Sequence, residues 1–223
     1  MKELRLEITG PHAGQPVRTL GAEWGKARAA LILVHGRGAS AADALPLIDH
    51  LNAPGFIYLA PEASGHLWYP NRFNSPLASN EPALSSALSG LDWLVEQLGA
   101  AGIPPERIIL SGFSQGACLC AEYAARHARR YGGVGVLAGG LIGPQDTPRD
   151  YPGSLAGTPV YLGCSDPDPY FNAEWIHYSA AALTRLGADV QTELFPDLGH
   201  RINLEMLRAV RRMLDGLGVG EGA

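Results

Sequence analysis

Cysteine is scarce in this chain, and the three present are Cys118, Cys120 and Cys164. An odd count without C-x-x-C spacing excludes a disulfide framework and gives no zinc signature, and it fits a reducing compartment. There is no H-E-x-x-H and no cluster of carboxylates among the seven histidines, so no metal is expected. No apolar run approaches the roughly 20 residues that span a bilayer, and no N-terminal segment reads as a signal peptide. Basic runs are missing too: the formal net charge is -5, which argues against nucleic acid and against anionic membrane surfaces. The expectation is a cytoplasmic protein with no membrane anchor.

What is present is enough apolar material for one large core. With 223 residues and 46% hydrophobic content, a single α/β domain over residues 1–223 is the natural reading. Apolar runs at Leu31 to Val34, Phe56 to Leu59, Ile108 to Leu110, Val134 to Leu137, Val160 to Leu162 and Val190 to Leu194 alternate with helical patterns. That rhythm predicts a mostly parallel central sheet with helices on both faces. Leu84, Leu88, Leu91, Leu94, Val95 and Leu98 form one stripe of a helix that begins after Asn80-Glu81-Pro82 and stops at Gly99 or Gly102. Leu4-Arg5-Leu6-Glu7-Ile8 alternates as an edge strand does, and residues 216–223 read as a glycine-rich flexible tail.

Against this frame one five-residue string carries chemistry. Gly112-Phe113-Ser114-Gln115-Gly116 lies between the apolar Ile108-Ile109-Leu110 and a helix-like stretch from Ala117 to Arg126. A strand turning sharply into a helix strains its apical residue and crowds the positions two before and two after, which suits glycine at both. The turn sets Ser114 at the positive end of the helix and leaves the Gln115 amide free for an anion. Alone, such a string is as often a flexible turn. Two later segments add weight. Thr158 to Gly163 reads as a buried strand running into the acid-bearing Cys164-Ser165-Asp166-Pro167-Asp168-Pro169, and Val190 to Phe195 ends in Pro196-Asp197-Leu198-Gly199-His200. Nucleophile, acid and base then occur in the chain order that such an elbow requires.

Five blocks in order, Leu33-Val34-His35-Gly36-Arg37-Gly38, Trp68-Tyr69-Pro70, Gly112 to Gly116, Gly163-Cys164-Ser165-Asp166-Pro167 and Gly199-His200, resemble the carboxylesterase/phospholipase family of α/β-hydrolases, which includes acyl-protein thioesterases. The resemblance covers nearly the whole chain. It implies an α/β-hydrolase fold and a serine carboxylic ester hydrolase acting on small to medium acyl esters without a cofactor. Its Gly-x-x-Asp-Pro block maps the triad acid onto Asp166, with Ser114 as nucleophile and His200 as base. Asp168 is then read as a loop carboxylate capping the helix that starts near Asn172, and it stays open as the alternative acid. The backbone amides of Arg37 and Gln115 are the expected oxyanion donors, and His35 is read as a structural histidine of that loop. Leu67, Trp68, Tyr69 and Trp175 are candidate pocket residues, and Phe73, Tyr170, Phe171 and Ile176 could wall the same pocket; Trp68 and Tyr69 lead because the family's equivalent block borders the site, while Trp175 on a helix face reads equally as buried packing. Acyl thioester or lysophospholipid hydrolysis are narrower variants, and a noncatalytic ligand-binding relative is the rival from another class. The expected partners are a small-molecule ester and, in a homodimer, a second copy of the chain.

Overall fold

The computed structural model describes residues 4–219. Eight strands form one sheet: β1 (Leu4–Arg5), β2 (Pro16–Gly21), β3 (Ala29–Val34), β4 (Phe56–Pro61), β5 (Ile108–Phe113), β6 (Gly133–Leu137), β7 (Pro159–Asp166) and β8 (Asp189–Pro196), in the order β1-β2-β4-β3-β5-β6-β7-β8. The first two pairings, β1 with β2 and β2 with β4, are antiparallel, and all the others are parallel. Helices α1 (Ala41–Ala44), α2 (Ile48–Leu51), α3 (Ala83–Ala100), α4 (Gln115–Arg126), α5 (Ala173–Arg185) and α6 (Leu204–Gly216) cover it. This is the α/β-hydrolase fold expected from the sequence.

The two-residue period of the strands builds two cores. Along β3, Ala30, Ile32 and Val34 face the layer made by α3, α4 and α5, while Ala29, Leu31 and Leu33 face α1, α2 and α6. A strand buried on both faces has no polar side, which is why β3 and β4 read as continuous apolar runs. The edge strand β8 is covered less, has no fully buried residue, and carries the polar Gln191, Thr192 and Glu193 at its centre. In α3, Leu84, Leu88, Leu91, Leu94, Val95 and Leu98 are all buried. That helix passes through Gly99 and ends at Ala100; just beyond its cap, Gly102, with a φ of 88°, permits the closing bonds Ile103 N to Leu98 O (2.9 Å) and Gly102 N to Gly99 O (3.0 Å).

Three details differ from the sequence reading. β1 is shorter than Leu4 to Ile8 and pairs with β2, a strand that the sequence left unassigned because Val17 is its only buried residue. β7 continues to Asp166, beyond the strand expected up to Gly163. Order also reaches into the stretch read as a tail: Gly216 belongs to α6 and Val219 is buried, near the Cα of Gly55. Residues 220–223 of that stretch lie outside the described residues. Among the described residues no helix is long and apolar enough to cross a membrane.

Candidate active site

The central parallel strands deliver their carboxyl ends to one rim of the sheet, where loops carry the polar side chains. At the end of β5, Ser114 has φ 54° and ψ -117°, a conformation disfavoured for any side chain but glycine and held here by the strand before it and the helix after it. Its N–H donates to Leu137 O (2.9 Å) and its carbonyl accepts from Cys118 N (3.0 Å), so β6 and α4 both fix the turn. The two glycines are required by contact. A Cβ on Gly112 would lie 2.5 Å from the carbonyl carbon of Gly116, and one on Gly116 would lie 2.2 Å from Val34 O.

His200 sits on the loop between β8 and α6. Its Nε2 is 2.9 Å from Ser114 Oγ and its Nδ1 is 2.8 Å from Asp168 Oδ2. With Nδ1–H donating to the carboxylate, Nε2 is left to accept from the serine hydroxyl. The acid next to the histidine is therefore Asp168, which corrects the assignment to Asp166. Because β7 runs three residues farther than expected, Asp166 is still a strand residue, paired with Pro196, and exposed to solvent. The turn begins after it. Asp168 turns inward with a fully buried side chain, and its Oδ1 accepts from the amides of Tyr170 (2.8 Å) and Phe171 (3.0 Å). The cap of α5 is instead Asn172, whose side chain accepts from Trp175 N.

One buried hydroxyl joins the two loops. Ser165 Oγ donates to Pro167 O (2.8 Å) and accepts from Gly199 N (2.8 Å), tying the Asp168 turn to the His200 turn. The His200 ring packs against Phe113 (centroids 4.9 Å apart), edge-on to Tyr170 (4.7 Å) and parallel to Phe171 (6.1 Å).

The loop after β3 faces the serine from the other side. Among the described residues, the amides of Arg37 and Gln115 donate to no protein acceptor, and both residues line the same cleft as Ser114. Their surroundings are heavily tied. The Gln115 side chain accepts from Trp68 N (3.0 Å) and donates to Tyr69 O (2.7 Å), while the Arg37 guanidinium donates to the carbonyls of Tyr69, Pro70 and Asn71. His35 is structural, as its position implied: Nδ1 donates to Gly36 O (2.8 Å) and Nε2 accepts from Ala63 N (3.1 Å). His12 is used the same way, accepting from Ser64 N (3.1 Å) and donating to Trp68 O (3.0 Å). Burial lowers the pKa of both below the ordinary histidine value, consistent with two neutral rings.

The cleft holds about 600 Å³ and is lined by Tyr69, Phe73, Phe113, Cys118, Tyr170 and Phe171 beside the polar residues. Of the eight aromatic and apolar residues expected near the pocket, Tyr69, Phe73, Tyr170 and Phe171 line it, and Leu67, Trp68, Trp175 and Ile176 do not. Trp68 is buried behind the loop, with its indole N–H on His35 O (2.9 Å) and its ring against His12 and His35. Trp175 supports the wall from behind: its N–H donates to Leu141 O (3.2 Å) and its ring meets Phe73 edge-on. Leu67 is half-buried outside the lining. The Cys118 thiol, though at the cleft wall, is fully buried, which pushes its pKa up to about 12. Among the described residues no three His, Cys, Asp or Glu side chains gather as a metal site would.

The phospholipase/carboxylesterase family profile matches residues 21–217. Acyl-protein thioesterase 1 of Gibberella zeae is 32% identical over 130 residues, an alignment covering 54% of this chain and 52%, about half, of that protein. A probable carboxylesterase of Oryza sativa subsp. japonica is 27% identical over 81% of this chain and 74% of its own length. Among solved structures, a phospholipase/carboxylesterase from Dyadobacter fermentans superposes with a TM-score of 0.86 at 36% identity, covering 90% of this chain and 96% of that one.

Proposed function

Because the chain belongs to the phospholipase/carboxylesterase family of α/β-hydrolases, we propose that it hydrolyses carboxylic esters of small to medium acyl groups through Ser114, His200 and Asp168. The observation that carries the reading is the unbroken run of hydrogen bonds from Ser114 Oγ through His200 to Asp168, at 2.9 and 2.8 Å. His200 Nε2 takes the serine proton as Oγ attacks the ester carbonyl, and returns it to the departing alcohol. Asp168 keeps the proton on Nδ1 and stabilises the imidazolium without taking a proton itself. The amides of Arg37 and Gln115 receive the oxyanion; loss of one such donor typically costs about 100 to 1,000-fold in turnover. Water then enters by the same path and releases the acid.

Burial of the Asp168 side chain and the aromatic faces around His200 support this role, since a low-dielectric setting strengthens a charge that forms in the transition state. Two named relatives are a thioesterase and a probable carboxylesterase, and either bond suits the same three residues. The test is turnover of a graded series of p-nitrophenyl acyl esters and matched thioesters, in chelator, by the native chain and by Ser114→Ala. Activity with an optimum acyl length, lost in the variant, is the expected result. Equal activity in the variant would overturn the mechanism.

A further inference from the structure

The lining of the cleft carries positive charge and no carboxylate. Arg37 and Arg72 both line the cleft, and no Asp or Glu does, in a chain whose net charge is -5. The Arg37 guanidinium is fixed on the carbonyls of Tyr69, Pro70 and Asn71. Those dipoles orient it but do not cancel its charge. Arg72 differs. Among the described residues its guanidinium has no hydrogen bond or ion pair, although the backbone that carries it is pinned: Asn80, fully buried, accepts from Asn71 N (2.8 Å) and donates to Arg72 O (3.4 Å), and Ser75 N donates to Arg72 O (3.1 Å). A planar fork of donors on a fixed loop, in the same cleft as Ser114 and with no carboxylate in the lining, matches an anionic group with two acceptor oxygens.

We infer that the preferred substrate is an ester that carries a second, anionic group, a carboxylate or a phosphate, which Arg72 engages in the field of Arg37 while Ser114 attacks the ester carbonyl. This rests on the ester-hydrolase reading and narrows its substrate class.

The experiment compares kcat/KM for p-nitrophenyl butyrate with that for the p-nitrophenyl monoester of glutarate (charge on the acyl side), and for 4-butyryloxybenzoate with that for its methyl ester (charge on the alcohol side). Native enzyme, Arg72→Ala and Arg72→Glu are assayed at low and high salt. In one of the two pairs the anionic substrate is expected to lead by about three- to five-fold or more, the scale of an exposed ion pair. That lead falls in Arg72→Ala, inverts in Arg72→Glu and fades at 1 M salt, where the screening length is about 3 Å. Calorimetric binding of benzoate and phenyl phosphate to Ser114→Ala, with and without Arg72→Glu, separates carboxylate from phosphate and needs no turnover. Anion binding that depends on Arg72 in a chain without esterase activity would keep this inference and sink the hydrolase reading. Turnover with no anionic preference in either pair, or a preference unmoved by Arg72→Glu, would sink the inference and leave the hydrolase reading standing.

Discussion

Oδ2 of Asp168 stands 2.8 Å from Nδ1 of His200, on a side chain with no solvent exposure, while Asp166 two residues earlier faces water at the end of β7. Exchanging each for its amide therefore gives unequal results. Asp168→Asn keeps the shape but presents an N–H or a weaker acceptor to the histidine, and turnover is expected to fall on the order of 10⁴-fold. Asp166→Asn, a surface change, stays within about two-fold. Steady-state kinetics of the two variants on one ester decides it, and the opposite ranking would return the acid to Asp166.

The elbow glycines are defined by backbone contact. Gly116→Ala sets a methyl 2.2 Å from Val34 O and is expected to cost at least about 3 kcal/mol or to prevent folding. Gly99→Ala, exposed within α3 with nothing near its added Cβ, is expected to stabilise by about 0.5–1 kcal/mol. Denaturant unfolding of both variants measures the contrast.

Two neutral histidines make stability pH-dependent. Burial depresses the folded pKa of His12 and His35, so the unfolded chain binds more protons than the folded one below the unfolded value of about 6.5. This part of the stability is whole above that value. It declines as pH drops from about 7 toward the depressed folded pKa of each ring. Each accepts a backbone amide at one nitrogen, and protonation forfeits that bond. Thermal melts from pH 8 to pH 5 are expected to show a falling Tm, with a shallower fall in His12→Gln; a Tm that climbs toward pH 5 would refute the assignment of neutral rings.

Thiol chemistry is expected to be silent in the folded protein. Burial pushes Cys118 and Cys164 up to about 12, and Cys120 higher still. Iodoacetamide at pH 8 should modify none of the three until denaturant is added, as read by intact mass. Rapid labelling of Cys118 in the native state would mean that the cleft wall opens.

Much of the site was legible because its demands are local. Gly112 and Gly116 flank a serine that must adopt φ 54°, and Gly199-His200 follows a strand that ends on the same rim. The acid was not legible, since Asp166-Pro167 and Asp168-Pro169 are the same dipeptide twice and only the length of β7 decides which carboxylate falls in the turn. Ser165 gave no signal at all: its role depends on Pro167 O and Gly199 N meeting across the loops. Trp68 supports the wall instead of facing the cleft, and Trp175 takes the buried packing that its helix face suits equally well, because an aromatic next to a site block reads alike in either place. In the fold, strands buried on both faces announced themselves as apolar runs, whereas β2, with one buried side chain, did not.

The most direct test of the account is covalent capture of the nucleophile. Native protein treated with a fluorophosphonate and read by intact mass and peptide mapping is expected to carry a single adduct on Ser114, slowed strongly in His200→Ala and absent in Ser114→Ala. An adduct on another residue, or none on a folded native chain that still turns over esters, would contradict the assignment of Ser114.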